Sequence, residues 1–475
     1  MERTRSQMDR RLEWFFALVL LSCAIFALVY AGKTAHMAMQ FDYEEGNILN
    51  AGLRITQGQT PYPAPGGWPI VINPYGPIAY LVSAALTKAF GVGFFAPRMV
   101  SIVCGAFIAL LTGILIRRFG GSVPISVLFG CLFLTLDSIR NWLLTSRVDW
   151  LALSLSFAGL AAFVFWERRW YVAAFLFSAA LFVKYTLLAA PVACVWCLIL
   201  RRDWKQLFRL AGSSATLCLA GFLITQRLSS GHFAFHEFST HPDLYSWSQC
   251  MQFMGRRIRD IPFVFGIATI LAAVELQQKR VSLPVLYFLT ATGGALTVGK
   301  VGSSSNHLIE WTAAACLCAG YGWRFIGDWM ARKRLAVAGR VVLAAVFATA
   351  VMAVALYRPP FAERISCGPA YDYLRAHGDR VLTDSVGALL LAGKPVLVSN
   401  PFVYAQLVSH AGWPDPLLDR VRAKEFDVIL LREQIGVYRP DERFTKETLR
   451  AIRENYHPAA AFECYDSGFA YLPNP

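Results

Sequence analysis

Three carboxylates stand close together in the stretch FDYEEG, directly after the first long apolar run: Asp42, Glu44 and Glu45. If this stretch is helical, Asp42 and Glu45 lie three residues apart and share a face. A carboxylate at the low-dielectric edge of a membrane can have its pKa raised by desolvation, and can then act as a general base toward a hydroxyl or an amine. The simpler alternative is that these are solvated loop acids that follow an apolar run by chance.

A second group of ionisable and polar residues lies at the ends of later apolar runs. Its members are Asp149, Lys184, Lys300, Asn306, His307 and Glu310. Ionisable groups there are costly unless they are paired or face a polar cavity, so they are candidates for a functional site. Acids and bases on one membrane face suit an enzyme that handles an anionic lipid head group. Two alternatives stay open: Lys184 and Lys300 could extend to phospholipid head groups, and Asp149 could pair with Arg147.

Histidines and acids also gather in one polar loop, HFAFHEFSTHPD, at residues 232–243. The candidate ligands are His232, His236, Glu237, His241 and Asp243. The HExxH spacing of a zinc protease is absent, and loop histidines beside aromatic residues are more often interfacial. The sequence therefore leaves any metal ligands unknown, and a divalent metal is retained only as an optional cofactor.

The elements that must position these residues are membrane helices. Hydrophobic residues make up 56% of the 475, and the mean hydropathy is +0.44. Much of this excess lies in apolar runs of about 15–22 residues, close to the length that crosses a bilayer. We expect about eleven spans, at residues 12–32, 97–116, 122–139, 149–166, 170–183, 185–200, 206–227, 260–278, 283–300, 307–326 and 335–357.

The net charge of +14 comes from short basic clusters between apolar runs, such as Arg117-Arg118 and Arg201-Arg202. This is the positive-inside pattern of cytoplasmic loops, and it argues against nucleic acid as a partner. The basic N-terminus and the first run of about 20 residues are typical of a retained signal-anchor rather than a cleaved signal. Tyr75–Gly91 is short and carries Lys88, which favours a juxtamembrane helix on the outer face over a span.

The chain is therefore expected to have two parts, a membrane domain at 1–357 with a first outer loop at about 33–96, and an extracytoplasmic α/β domain at 358–475. In the second part, VLTDSVGALLLAGKPVLVSN is typical of strand, turn, helix, strand, and FDVILLRE of a buried strand. A disulfide between Cys367 and Cys464 is permitted outside the cytoplasm.

Several stretches together resemble the membrane glycosyltransferases of the GT-C fold. They are DYEEG, GLRITQGQTPY, NPYGPIAYLVSAALTKAFG, FFAPRMVS, SRVDWLALSLSFAGLA, LFVKYTLLAAP and GSSSNHLIEW. The resemblance covers about residues 12–334 and is greatest to bacterial relatives of the aminoarabinose lipid A transferases and protein O-mannosyltransferases, the family 39-like enzymes. It implies a first-loop acid at Asp42, a nearby second acid at Glu45, a later acid at Asp149 and a lysine at Lys184. Many relatives have an adjacent Asp-Glu pair, whereas here Tyr43 intervenes, so the base is open among the three acids, in the order Asp42, Glu45, Glu44.

The resemblance implies an inverting enzyme of the bacterial cytoplasmic membrane with its active site on the periplasmic side. A hexosyl or pentosyl group would pass from a polyprenyl-phosphate donor to a glycolipid, polysaccharide or protein acceptor. Charge on the departing phosphate would be stabilised by cations such as Arg54, Lys184, Lys300 or His307, or by a metal.

The strongest rival is a transporter or flippase for lipid-linked substrates, which typically has inverted repeats and charges near the midplane. Here the charges cluster at the ends of spans, and no repeat is evident. A non-catalytic scaffold whose outer domain binds cell-wall material is a third possibility.

Overall fold

The computed structural model describes residues 7–240, 244–332, 336–357, 366–435 and 443–475. Residues 1–357 form fifteen α-helices within the described ranges, joined by short 3₁₀ turns and one π turn at Phe235–Ser239. The helices are α1 Gln7–Thr34, α2 Tyr43–Thr56, α3 Pro77–Phe90, α4 Phe95–Arg118, α5 Val123–Thr135, α6 Asp137–Leu143, α7 Val148–Phe165, α8 Trp170–Leu181, α9 Ala189–Arg201, α10 Trp204–Leu228, α11 Trp247–Asp260, α12 Pro262–Gln277, α13 Leu283–Ala295, α14 Ile309–Arg332 and α15 Ala336–Leu356.

A helix lies at each of the eleven predicted spans, but many are shorter than a bilayer requires. Among the described residues, five helices are long and apolar enough to cross: α1, α4, α7, α10 and α15. The number becomes seven if two bent pairs each count as one span. The helices α8, α9 and α13 have only 12 or 13 residues. The count of about eleven therefore stays a prediction, while the mostly helical membrane-protein fold is confirmed.

The two bends were not predicted from the sequence. The helices α5 and α6 meet at 68°, and α11 and α12 meet at 101°. Leu136, between α5 and α6, has extended backbone dihedrals, and Asp137 then supplies an acid to the first turn of the new helix. Each bend lies at the end of the bundle that carries the candidate site.

The helices α2 and α3 pack closely against each other, and the juxtamembrane position of residues 75–91 stays a prediction. A side chain at Gly52 would collide with Ser83, so glycine permits the close approach of the two helices. Because the helices lie so close, the Ser83 hydroxyl donates a hydrogen bond to the Ile48 carbonyl at 3.1 Å. This contact holds α2, which contains Glu44 and Glu45 in its first turn, against α3.

The C-terminal part is a small α/β unit. Its helices are α16 Gly368–Ala376, α17 Val386–Ala392, α18 Pro401–Ala411, α19 Pro416–Arg422 and α20 Lys446–Asn455, and its strands are β1 Val381–Thr383, β2 Val428–Leu431, β3 Tyr456–Ala461 and β4 Phe469–Pro473. The strand order is β1-β2-β4-β3, with β1 and β2 parallel and the other pairs antiparallel.

Two of the three predicted strands of this unit are confirmed, as β1 and β2, and so is the intervening helix α17. The third prediction is wrong, because the VLVSN segment forms no strand and Val398 makes only an isolated parallel bridge to Ile70 of the first outer loop. The disulfide between Cys367 and Cys464 is present. It joins the start of the unit to its last turn before β4.

The C-terminal unit docks on α2. A side chain at Gly46 would collide with the backbone of Gly387, and the Gly387 N–H donates to Gln40 Oε1 at 2.8 Å. Asn400 donates its backbone N–H to Asn47 Oδ1 at 2.9 Å. The helix that carries the candidate acids is therefore enclosed between the membrane helices and the C-terminal unit.

Candidate active site

Asp42 caps the N-terminus of α2. Its carboxylate accepts from the Glu44 N–H at 3.1 Å, and Glu45 reciprocates by accepting from the Asp42 N–H, which completes a capping box. The same Asp42 oxygen accepts from Arg147 Nη1 at 2.7 Å. The Asp42 side chain is 16% exposed. The Asp42 carboxylate is therefore held at a defined position and is still accessible to a substrate.

Glu45 is fully buried, and both of its oxygens are occupied. Arg98 donates to both, from Nε and Nη2 at 2.9 Å each. Oε2 also accepts from the Phe41 N–H, and Oε1 accepts from the Ser146 N–H and hydroxyl. Burial favours the neutral acid, but the Arg98 charge and these donors outweigh it and lower the pKa of Glu45. This geometry favours a positioning role over proton acceptance.

Glu44 is also buried, and it faces the C-terminal unit. Its Oε1 accepts from Asn400 Nδ2 at 3.0 Å. Burial raises the pKa of Glu44, and the Arg147 charge only partly opposes the shift. The acid that sequence analysis ranks last is thus a contact between the two parts of the chain.

Arg147 connects Asp42 to the second group of candidates. It lies at the N-cap position of α7, and its guanidinium is almost entirely buried. Besides Asp42 it donates to Asp149 Oδ2 at 3.3 Å and to the Tyr75 hydroxyl at 3.2 Å. The sequence alternative in which Asp149 pairs with Arg147 is correct, and the same arginine also holds Asp42.

Asp149 accepts from three donors that come from three different elements. Its Oδ1 accepts from Lys184 Nζ at 2.6 Å and from Asn306 Nδ2 at 3.0 Å, while its Oδ2 faces Arg147. Asp149 lies in the first turn of α7, Lys184 follows α8, and Asn306 lies in the 3₁₀ turn before α14. Lys184 is buried and paired with Asp149, so it does not extend to the membrane surface.

Five of the predicted site residues line one cavity between α7, α13 and α14. They are Asp149, Lys184, Asn306, His307 and Glu310. His307 Nδ1 lies 3.1 Å from the Thr297 hydroxyl, and Glu310 accepts from the Tyr287 hydroxyl at 3.2 Å. The cavity combines a carboxylate held by cations with a second acid and an imidazole.

The remaining two candidates lie apart from this cavity. Arg54 is in the last turn of α2 and donates to the Thr60 carbonyl at 3.2 Å. Lys300 is in the loop after α13, where its carbonyl accepts from Gln249 Nε2 at 3.0 Å. Neither side chain is among those that line the cavity in the described chain, so their roles in substrate binding stay predictions.

A divalent metal stays an optional cofactor, and the described residues bring one group of candidate ligands together. One group has ligand atoms close together, Cys367, Cys464 and Asp466, but its two sulfurs form the disulfide. His236 has both ring nitrogens engaged, with the Pro63 carbonyl at 2.9 Å and the Asn73 N–H at 3.3 Å. His241 and Asp243 lie outside the described residues.

Sequence analysis assigned no role to Arg98 and Tyr75, and treated Arg147 only as a partner of Asp149. Arg98 and Tyr75 occur in stretches that carry the family resemblance, FFAPRMVS and NPYGPIAY. An arginine in the first turn of an apolar helix, such as Arg98 in α4, indicates a buried partner. The partner itself, 53 residues away, could not be identified without the fold.

Comparison with solved structures identifies the fold. ArnT from Cupriavidus metallidurans, crystallised bound to undecaprenyl phosphate, superposes with a TM-score of 0.64 over 96% of this chain and 99% of ArnT, at 11% identity. Archaeal oligosaccharyltransferase AglB from Archaeoglobus fulgidus, in complex with an inhibitory peptide and a dolichol-phosphate, gives 0.51 over 94% of this chain and 73% of AglB, also at 11% identity.

Both neighbours have the GT-C fold of membrane glycosyltransferases, and this chain has the same fold. No protein-family model matches the sequence, and no curated protein matches it either. At 11% identity the structural likeness establishes the fold alone, so the chemistry must be argued from the site.

Proposed function

We propose that the protein is an inverting glycosyltransferase that moves a sugar from a polyprenyl-phosphate donor to an acceptor hydroxyl or amine outside the cytoplasm. The observation that carries this proposal is the position of Asp42. Of the three acids it has the most exposed side chain, and Arg147 links it to a buried cavity that contains a lysine.

Asp42 is the proton acceptor in this proposal. Its carboxylate takes the proton from the acceptor as the acceptor atom attacks C1 of the sugar, and the bond between C1 and the phosphate oxygen breaks. Attack opposite the departing phosphate inverts C1, and the electron pair of the broken bond leaves with the lipid phosphate. The cap of α2 and Arg147 hold the carboxylate in place, which limits the reorganisation needed before attack.

Lys184 is the main group that stabilises the departing phosphate. An ammonium group has three N–H donors, and the structure uses one of them, for Asp149. The other donors and the positive charge suit a phosphate that enters the cavity. Asp149 and Asn306 orient the lysine, and His307 and Glu310 provide further polar contacts at the wall.

The proposed donor and acceptor classes are inferred from the reaction chemistry and from the ligands of the two similar structures. ArnT is seen with undecaprenyl phosphate and AglB with dolichol-phosphate, and both ligands are lipid phosphates of the kind released in the proposed reaction. A glycolipid, a polysaccharide or a protein is retained as the acceptor. We place the site on the periplasmic side of the bacterial inner membrane, because the basic clusters flank the opposite ends of the helices.

The experiment is transfer by the purified protein in lipid nanodiscs, supplied with isotope-labelled polyprenyl-phosphate sugars and candidate acceptors, with products identified by mass spectrometry. The Asp42→Asn variant keeps a good N-cap residue and should lose transfer by about a hundredfold or more. The matched control is Asp203→Asn, which changes an aspartate that likewise caps a helix, α10, by accepting from the Gln206 N–H.

Full transfer activity in Asp42→Asn would refute the assignment of the base. In sealed proteoliposomes, movement of labelled donor from one leaflet to the other without any product, by parent and Asp42→Asn alike, would instead support a flippase.

A further inference from the structure

Arg140 is a buried arginine on α6, on the outer flank of the bundle. Arg140 is only 4% exposed, and its guanidinium lies 3.6 Å above the centre of the Tyr357 ring. Tyr357 directly follows α15, and its hydroxyl donates to Asn141 Oδ1 at 2.8 Å. Tyr30, near the end of α1, meets the Tyr357 ring edge-on at 6.3 Å. Three helices thus meet around one cation.

Arg140 differs from the other buried arginines described here. Arg98 and Arg147 use all of their guanidinium nitrogens, and each pairs with a carboxylate. Arg257 donates to the Thr312 hydroxyl and lies 3.6 Å from Asp260. The Arg140 guanidinium donates no hydrogen bond within the described structure, and its Nη1 is buried without a partner.

An unpaired buried guanidinium is unfavourable, because it has lost its hydration and has not regained equivalent hydrogen bonds. The face of Tyr357 compensates only in part, since a cation–π contact satisfies none of the N–H donors. Asp137, one turn earlier on α6, interacts with Arg140 electrostatically but forms no ion pair with it. The geometry therefore calls for an external acceptor with oxygen atoms and negative charge.

The surroundings favour a lipid as the source of that acceptor. Next to this position the exposed residues of α1 and α15 are apolar: Phe26 and Val29 on one helix, Met352 and Leu356 on the other, each more than half exposed. Such surfaces accommodate hydrocarbon chains, and tyrosines such as Tyr30 and Tyr357 are enriched at the level of the head groups.

We propose that Arg140, with Tyr357, binds the phosphate group of a membrane phospholipid between the outer ends of α1 and α15. The site is separate from the cavity around Asp149, whose lining does not include Arg140. Because Arg140 is almost fully covered, binding requires the Tyr357 ring to turn aside, and its hydroxyl is held by a single hydrogen bond to Asn141. The proposal does not depend on transfer activity.

Native mass spectrometry of the full-length protein in detergent tests the proposal, with palmitoyl-oleoyl phosphatidylglycerol as the titrated lipid. The parent protein should retain one more bound lipid than Arg140→Met, or bind that lipid about tenfold more tightly, as expected for loss of a hydrogen bond to a charged group. Arg140→Lys keeps the charge and should retain intermediate binding. The matched control is Arg118→Met, which also removes an arginine above an aromatic ring, Phe165 at 5.9 Å, but an exposed one at the far end of the bundle.

Palmitoyl-oleoyl diacylglycerol, which lacks the phosphate, should not occupy the site. Equal lipid binding by the parent and Arg140→Met would overturn the proposal, and so would equal occupancy by the diacylglycerol. If inorganic phosphate displaces phosphatidylglycerol at equal concentration, the lipid part of the proposal is wrong and the site binds free anions. Should Arg140→Met fail to fold, Arg140→Gln makes the same comparison, because it removes the charge and keeps a polar side chain, and its binding of phosphatidylglycerol should also be about tenfold weaker than that of the parent.

Discussion

Replacing Asp42 and Glu45 separately should damage the protein in two different ways. The variant Glu45→Gln keeps the size of the side chain but leaves the buried Arg98 without its counter-charge, and it presents an amide to N–H groups that need an acceptor. Breaking a buried ion pair by removing one partner costs about 3–5 kcal/mol. The apparent Tm should therefore fall by on the order of 3–5 °C, because the unfolding entropy of a chain of this length gives a shift of about 1 °C per kcal/mol.

The variant Asp42→Asn should behave in the opposite way. Asparagine caps helices about as well as aspartate, and the largely buried Arg147 keeps Asp149 as a counter-charge, so the expected loss of stability is about 1–2 kcal/mol, less than for Glu45→Gln. If Asp42 is the base, the transfer rate should nevertheless fall by about a factor of 10²–10⁴.

The assay is thermal unfolding followed by tryptophan fluorescence in nanodiscs, with transfer measured on the same samples well below the Tm. The transfer rate divided by the amount of folded protein separates a loss of catalysis from a loss of stability. The reasoning is refuted if Glu45→Gln is as stable as the parent but inactive while Asp42→Asn remains active, because Glu45 would then be the base.

Three further predictions concern other parts of the structure. Lys184→Met should reduce transfer by about tenfold or more, since it removes a donor to the departing phosphate, while Asp149 keeps Arg147 and Asn306; unchanged rates would exclude this role. Burial raises the pKa of Glu237 to about 8, so the folded state keeps this acid protonated while the unfolded chain ionises near pH 4.3. Its contribution to stability is therefore complete below about pH 4 and is lost as pH rises to about 8. Glu237→Gln should match the parent Tm at pH 4 and exceed it at pH 8, and a constant difference across this range would contradict the inference. The disulfide that closes a separation of 97 residues should contribute up to about 4–5 kcal/mol, so Cys464→Ser should lower the Tm and abolish the gel shift on reduction.

The helices of this fold could be located from the sequence because their signal is local. A run of apolar residues long enough to cross hydrocarbon predicts a helix whatever lies around it. Where the prediction failed, the deciding contact was distant. The VLVSN segment has the composition of a strand, but its single bridge is to Ile70, more than 300 residues earlier.

The candidate site also combines features that the local sequence predicts with features that depend on distant contacts. Charges at the ends of apolar runs predicted a shared membrane face, and five of those residues do line one cavity. The sequence could not decide which of the three acids is the best candidate for the base, because Asp42, Glu44 and Glu45 differ mainly in their distant partners. Arg98 comes from α4, Asn400 from the C-terminal unit and Arg147 from the turn before α7.

The segment that leads into α2 also contacts the C-terminal unit, in addition to the contact of Glu44 with Asn400. The backbone N–H of Gln40, two residues before Asp42, donates to Asp466 at 3.0 Å, and the Tyr371 hydroxyl donates to the same carboxylate. Cys464 of the disulfide lies two residues from Asp466, and its partner Cys367 lies against Met39. The segment that leads into α2 is thus held from the C-terminal side by Asp466 and from the membrane side by Arg98, which donates to the Met37 and Met39 carbonyls. In the proposed reaction the acid must meet both a lipid-borne sugar and an extracytoplasmic acceptor, and the N-terminus of α2, enclosed by both parts of the chain, gives Asp42 a fixed position relative to both.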